Sequence, residues 1–486
     1  MQDHTQRKDR YGLPITTSST LAAERFIEGI DLLLEQNFGP EDTFTQALEA
    51  DAGFALAHGA LAYMLHLRAQ VAEARESAQQ AQSLAAGVSR RERQQIEAIA
   101  LFVHGQGPRS YALIREHLAE YPRDMLMIRL AQRLCMLGCS GAGVASFPAP
   151  LFALMQSVAP AYGDDWAFLG QYAFAHHEIG RLAEARRLAE RSLTLRPTNA
   201  TAAHSAAHVF FETGDAVGGG DFLDAWLKGF DTRAPYHVHL SWHQALFELA
   251  LGHYQRALDL YEADIRPAVL ANRAPALNDS AALLWRWSLY SGTTPPVPSQ
   301  EVRDLATPAA TRPGPVFRDA HAALAFAVAG DEVAMGHMID RLQGLADQGD
   351  ALASEVTLPL AQGIHAFAQG AYSEAVRLLE PLFAAPRLDQ LARIGGSHAQ
   401  REVFEDTMLE AYLRAGQFDR AEAMLRARLQ RRASVRDLFW LGRAQVGSGQ
   451  PEAARASLHQ VAALWQDTDP ESPERTTFNR LAAQAG

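Results

Sequence analysis

DWAFLGQYAFAHHEIGRLAEARRLAERSLTLRPTNATAAHSAAHVFFETG, residues 165–214, carries the pattern that decides the fold. Two apolar, helix-like runs end at Gly180 and Gly214, and Gly180 opens the phrase Gly180-RLAE-Ala185. Pro197 and Thr198 end one helix and prepare the next. The same punctuation recurs at Gly105, Gly138, Gly252, Gly292, Gly330, Gly370, Gly416 and Gly449. Consecutive members of the series are 33 to 46 residues apart, the period of stacked helix pairs. The phrase itself returns as Gly252-HYQR-Ala257, Gly370-AYSE-Ala375 and Gly416-QFDR-Ala421. No strand-like alternation competes with it. The expected fold is all-α, a right-handed superhelix (α-solenoid) of stacked helix pairs.

A chain of 486 residues exceeds the limit of about 250–300 residues for one hydrophobic core. A repeat array escapes that limit because each unit contacts only its neighbours. The expected order is an irregular segment over 1–20, one array over 21–291, a Pro-rich linker or bend over 292–315, a second array over 316–467 and a polar, frayed tail over 468–486. Residues 139–163, with Gly, Ser and three prolines, read as a loop or irregular helix.

The net charge is −12, from which we expect no nucleic-acid partner. Lys8 and Lys228 are the lysines, and neither sits in a Walker A loop. Cys135 and Cys139 lie one helical turn apart. They read as small apolar residues of a protein in a reducing compartment, with half a metal site as the alternative. From the polar start MQDHTQRKDR no secretory signal is expected, and no apolar run approaches the ~20 residues of a membrane helix. The expected location is cytoplasmic, away from membranes.

Counting back from the loop glycines gives each first helix a register. His204 and His208 lie ten and six residues before Gly214, and His239 and His243 thirteen and nine before Gly252. Each pair is spaced i, i+4, so both rings leave one face of their helix. Neighbouring first helices of a solenoid share its concave side, so four imidazoles are expected at one groove. Asp279 and Arg286 come from the next first helix, and His321 from the one after. Imidazole is the commonest metal ligand among side chains. His204, His208, His239 and His243 are therefore candidate ligands for a divalent transition metal: zinc, iron, copper or nickel. His208, His243 and Asp279 are the catalytic candidates. Against a metal stands the lack of any H-E-x-x-H phrase. A metal-free polar pocket, or histidines satisfied one by one, fits the same residues.

Gly395-Gly396-Ser397-His398-Ala399-Gln400-Arg401 reads as a capping box, with Ser397 capping and Gln400 three residues on. Arg401 beside a helix N-terminus suits a carboxylate or phosphate. Glu178, Trp242, Arg286, Asp319, His321, Ser397 and Arg401 complete the expected ligand-binding set, with Asp319 placed to orient an imidazole. Trp285 and Trp287 read as packing residues.

Taken together, YGLPITTSS, HSAAHVFFE, HLSWHQALFELALGHYQRAL, NDSAALLWR, RDAH and GGSHAQREVF resemble the tetratricopeptide repeat protein 38 (StaR-like) family. The resemblance runs from about residue 11 to beyond 415. It falls on His204, His208, His239, Trp242, His243, Asp279, Arg286, Asp319, His321, Gly396, Ser397, Gln400, Arg401 and Phe404. This chain departs at Phe211, where the family usually has Glu and where Glu212 stands one place late, and at Ala131, where relatives can carry His. The resemblance implies an α-helical tetratricopeptide superhelix and brings no settled activity. A hydroxylase role has been suggested for one branch linked to antibiotic assembly; no flavin or haem motif is spelled out here.

Two functions are left open. The first is a tetratricopeptide repeat protein that binds a small molecule or peptide in a His/Arg-lined concave groove. The second is a metal-dependent enzyme, an oxygenase or hydrolase of a small organic molecule, that uses the His cluster. Oligomeric state is not legible.

Overall fold

The computed structural model describes residues 7–312, 314–383 and 387–485. Residues 1–6, on which most of the polar start falls, lie outside the described residues. The fold is all-α, with helix following helix from Thr20 to Ala485 in tetratricopeptide-like antiparallel pairs of the α-solenoid kind. Ala55–Leu67 pairs with Val71–Leu84, Trp166–Glu178 with Leu182–Leu195, and Val435–Gly447 with Pro451–Leu464.

All ten glycines of the series lie in the left-handed region, with φ between 56° and 77°. A residue with a Cβ adopts that conformation at a cost of about 1–2 kcal/mol. The helix therefore ends at the glycine, and in eight of the ten cases the next α-helix begins two residues on; after Gly138 and Gly292 it begins only at Pro148 and Ser299. The series offers a graded test. A Cβ on Gly180 would meet nothing within 4 Å, whereas on Gly214 it would lie 2.1 Å from the Ala433 carbonyl oxygen. Gly180→Ala is expected to lose about 1 kcal/mol in urea denaturation. Gly214→Ala should lose clearly more, about 2 kcal/mol or above, because a backbone carbonyl must move. Equal losses would show that the approach to Ala433 does not matter.

The chain divides into two compact units. The first comprises residues 1–206 and 230–237, the second 207–229 and 238–486. The partition falls within the Ala200–Thr213 helix.

In the first unit the irregular N-terminal segment is tied down. Arg7–Lys8 pairs antiparallel with Pro14–Ile15, and the Glu92 carboxylate accepts from the Thr16 backbone and hydroxyl, both at 2.7 Å. Glu92 also closes the capping box of Ser89 at the start of Arg90–Val103. The Pro-rich stretch at 139–163 holds the helix Pro148–Val158, with Leu151, Phe152, Met155 and Val158 buried. Asp124 is fully buried between Arg91 at 2.9 Å and His117 at 3.0 Å. Burial pushes its carboxyl up, but Arg91 and His117 outweigh burial and hold it below the ordinary value. Its stabilising contribution is thus present above the unfolded carboxyl pKa of about 3.9 and lost as pH falls through the folded value. Asp124→Asn is expected to lower stability at pH 7 and to reduce the acid loss below pH 4, read by urea melts at both values.

Two expected boundaries are corrected in the second unit. The 292–315 segment, expected as a Pro-rich linker or bend, is not irregular throughout. It contains the helix Ser299–Thr311, with Val302, Ala306, Ala309 and Ala310 buried against neighbouring helices. Apolar spacing there offsets the prolines at its ends, and Pro308 is tolerated near the helix C-terminus. The tail after residue 467 is not frayed either. Pro473–Ala485 is a helix that buries Phe478, Leu481 and Ala485. The Glu474 carboxylate accepts from Tyr254 at 2.7 Å and pairs with Arg436.

Candidate functional site

Pro235–Leu251, Ala276–Ser291, Val316–Ala329 and His398–Arg414 carry the polar residues of the second unit. His239 presents Nδ1 to both oxygens of Asp279, at 3.0 Å each. One helical turn along, the Trp242 indole stacks on the His239 ring, with centroids 5.3 Å apart and planes at 13°. His243 stands edge-on to His239 at 4.9 Å and to His208 at 4.6 Å. Ring nitrogens of His208 and His243 lie within 4.8 Å of one another. Three imidazoles, one indole and one carboxylate thus share a buried patch of this unit.

His204 belongs to the first unit. There its ring stacks on Phe174 at 5.7 Å and meets Tyr236 edge-on at 5.3 Å. Glu178 is also in the first unit, buried with its carboxylate 3.4 Å from His177 Nε2.

Arg286 is buried, and its side chain is committed on three sides. It donates to the Ala399 carbonyl at 2.7 Å, lies 3.6 Å from the Asp406 carboxylate, and sits 5.8 Å from the Trp242 ring centre. Its Nη1 has no hydrogen-bond partner among the described residues, and neither has the indole N–H of Trp242. Trp285, read as packing, does more: its indole donates to Thr407 at 2.8 Å. Asp406 and Thr407 were missed in the sequence because they stand more than a hundred residues away and belong to no repeat signal.

His321 donates through Nδ1–H to the Phe317 carbonyl, 2.7 Å away, and packs on Phe404 at 5.5 Å. Burial is the main cause of a pKa lowered to about 4. Among the described residues Asp319 makes no hydrogen bond to an imidazole. It accepts from Gly314 at 2.8 Å and from Arg318 at 2.8 Å, and burial raises its carboxyl against the pull of Arg318. The capping box stands as read: the Ser397 side chain accepts from the Gln400 backbone, and Gln400 reaches back to Ser397. Arg401 donates to the Gly396 carbonyl.

His398, Glu402 and Glu405 also bring ligating atoms within 4.8 Å of one another. Guanidinium groups already answer that charge. Arg428 and Arg432 pair with Glu402, and Arg431 with Glu405 at 3.1 Å. This is an ion-pair network rather than an open donor set.

No family model matches the chain. Its architecture is similar to that of solved tetratricopeptide proteins. One, a tetratricopeptide repeat protein from Parabacteroides merdae ATCC 43184, has 11% identity over 66% of this chain and 98% of that one, with a TM-score of 0.30. Human IFIT1, solved as a dimer with m7Gppp-AAAA, has 12% identity over 94% and 97%, with a TM-score of 0.37. Yeast Tom70 has 10% identity over 96% and 95%, with a TM-score of 0.28. The antiparallel helix pairs of the structure define the class, that of tetratricopeptide-like helical repeat proteins.

The expectation of no nucleic-acid partner is corrected. A protein similar in architecture, human IFIT1, is solved with a capped oligonucleotide. The physical reason lies in the expectation itself: −12 is a sum over the chain, while recognition depends on local charge. Among the described residues no helix is long and apolar enough to cross a membrane.

Proposed function

We propose that this chain is a ligand-binding repeat protein of the tetratricopeptide repeat protein 38 (StaR-like) family, working in the reducing cytoplasm. The ligand is a small molecule or peptide bearing hydrogen-bond acceptors, and the patch around His239, Trp242, His243 and Arg286 receives it. One observation carries this reading. Two buried donors, Trp242 Nε1 and Arg286 Nη1, lack partners within one neighbourhood of the second unit. Leaving a buried donor unsatisfied costs about 1–3 kcal/mol, so such donors in proximity favour an acceptor-bearing guest. The experiment is native mass spectrometry of protein purified without chelators. A retained non-covalent mass is expected in the wild type and is expected to be lost in Trp242→Phe and in Arg286→Met. Retention of the same mass in both variants would sink the reading.

A second reading, metal-dependent chemistry on a small organic substrate, has its own support. Asp279 on His239 Nδ1 has the form of a carboxylate that orients a metal-binding or basic imidazole, and His208 and His243 stand close by. Under this reading element analysis yields stoichiometric metal that His243→Ala abolishes. Metal-free protein that keeps its bound organic mass would decide for the first reading.

A further inference from the structure

The buried arginines of this protein are, as a rule, answered by carboxylates. Arg91 meets Asp124, Arg428 meets Glu402, Asp406 and Asp437, and Arg436 meets Glu474. Two arginines of the first unit break the rule. Arg129 and Arg133 stand one turn apart on Met125–Met136, whose sequence MLMIRLAQRLCM contains no acid. Arg129 is buried and Arg133 partly so. Neither pairs with a carboxylate among the described residues. Arg129 Nη1 reaches only the Gln132 amide oxygen, at 3.2 Å, and the Nε of each is without a partner.

The groups around them point the same way. The Tyr63 hydroxyl, fully buried on Ala55–Leu67, has no hydrogen-bond partner among the described residues and lies in the field of both arginines. His66, one turn along, leans on Phe102 at 4.6 Å and leaves Nδ1 unpartnered. Burial, and then the charge of Arg133, lowers its pKa to about 4, so it adds a neutral ring and no charge near pH 7. Tyr236 interacts electrostatically with Tyr63 and Arg133. The cluster therefore holds two positive charges, an idle hydroxyl donor and aromatic walls, with no negative charge to balance it. Paired guanidinium groups suit a tetrahedral oxyanion geometrically, and two charges suit a dianion.

We propose that Arg129, Arg133 and Tyr63 form a binding site for a phosphate group, carried by a small phosphate monoester or as free phosphate. This site is separate in its residues from the patch of the proposed function and survives if that reading fails.

The test is isothermal titration calorimetry of the full chain at low salt with inorganic phosphate, phenyl phosphate and succinate. Saturable binding of phosphate or phenyl phosphate is expected, with succinate at least about tenfold weaker, since one carboxylate end leaves a guanidinium unanswered. Tighter binding of phenyl phosphate assigns an ester to the site, and equal binding assigns free phosphate. Arg129→Met and Arg133→Met should each weaken binding at least about tenfold, and Tyr63→Phe about tenfold. Arg187→Met, at an exposed pair with Glu184, should leave binding unchanged. Folding is checked separately. Removing one of two like, unpaired charges should keep or raise the melting temperature without ligand, and abolish the rise that phosphate causes in the wild type. The proposal is overturned if neither phosphate compound binds saturably, if succinate binds as well, or if the folded arginine variants bind like the wild type.

Discussion

Arg428→Met is expected to destabilise the second unit by about 3–5 kcal/mol, enough to leave it largely unfolded at moderate urea. The Arg428 guanidinium is buried and lies 2.9 Å from Glu402, 2.9 Å from Asp406 and 3.0 Å from Asp437. Burial alone would lower its pKa; these carboxylates overcome that and hold it well above the ordinary value. Take the cation away and three buried carboxylates face one another, with Arg432 left to answer Glu402. Arg426→Met removes an exposed partner of Glu422 and should cost less than about 1 kcal/mol. Urea denaturation of both variants at pH 7 checks the contrast. The loss in Arg428→Met should shrink as the pH is lowered, because protonated carboxyls no longer need the guanidinium. A loss within about 1 kcal/mol at pH 7 would mean that the three acids are otherwise satisfied.

The second large effect is acid sensitivity from a neutral buried histidine. His321 has a folded pKa of about 4 against an unfolded value near 6.5, with burial as the first cause. The unfolded chain therefore takes up the proton first. Stability is fully present above about pH 6.5 and falls as pH drops towards 4, at up to about 1.4 kcal/mol per pH unit. Over that window the second unit should lose on the order of 3 kcal/mol through this residue alone. Asp279 and Arg286 act on it in opposite directions, and Phe317 and Phe404 close it off from water. His321→Asn keeps a donor for the Phe317 carbonyl and removes the titrating group. Its urea midpoints between pH 7 and pH 4.5 should fall less steeply than those of the wild type. Parallel slopes would remove His321 as the cause. His66 in the first unit is lowered in the same direction, so the first unit should soften over the same pH range.

The repeat was readable because its punctuation is local. A glycine at positive φ ends a helix whatever the rest of the chain does, and all ten glycines of the series behave so. The capping box at Ser397 was readable for the same reason, since both of its hydrogen bonds close within four residues. Composition alone hid the helices within 292–315 and 468–486. Their order comes from apolar residues such as Val302 and Phe478 that find partners elsewhere in the second unit.

Among the polar residues, the i, i+4 spacing of His239 and His243 was enough to put both rings on one helix face. That Asp279 meets His239 depends on two helices lying side by side, which the repeat period suggests without giving a distance. That Arg286 is held by Asp406 and the Ala399 carbonyl was beyond reach, and so was the missing acid beside Arg129 and Arg133. Helix type, helix ends and the faces of side chains follow from torsion angles within a turn or two, so a linear string of residues contains them. Which charge answers which, and which is left unanswered, is decided by segments brought together across scores of residues, because Coulomb energy and desolvation depend on distance in space and not along the chain.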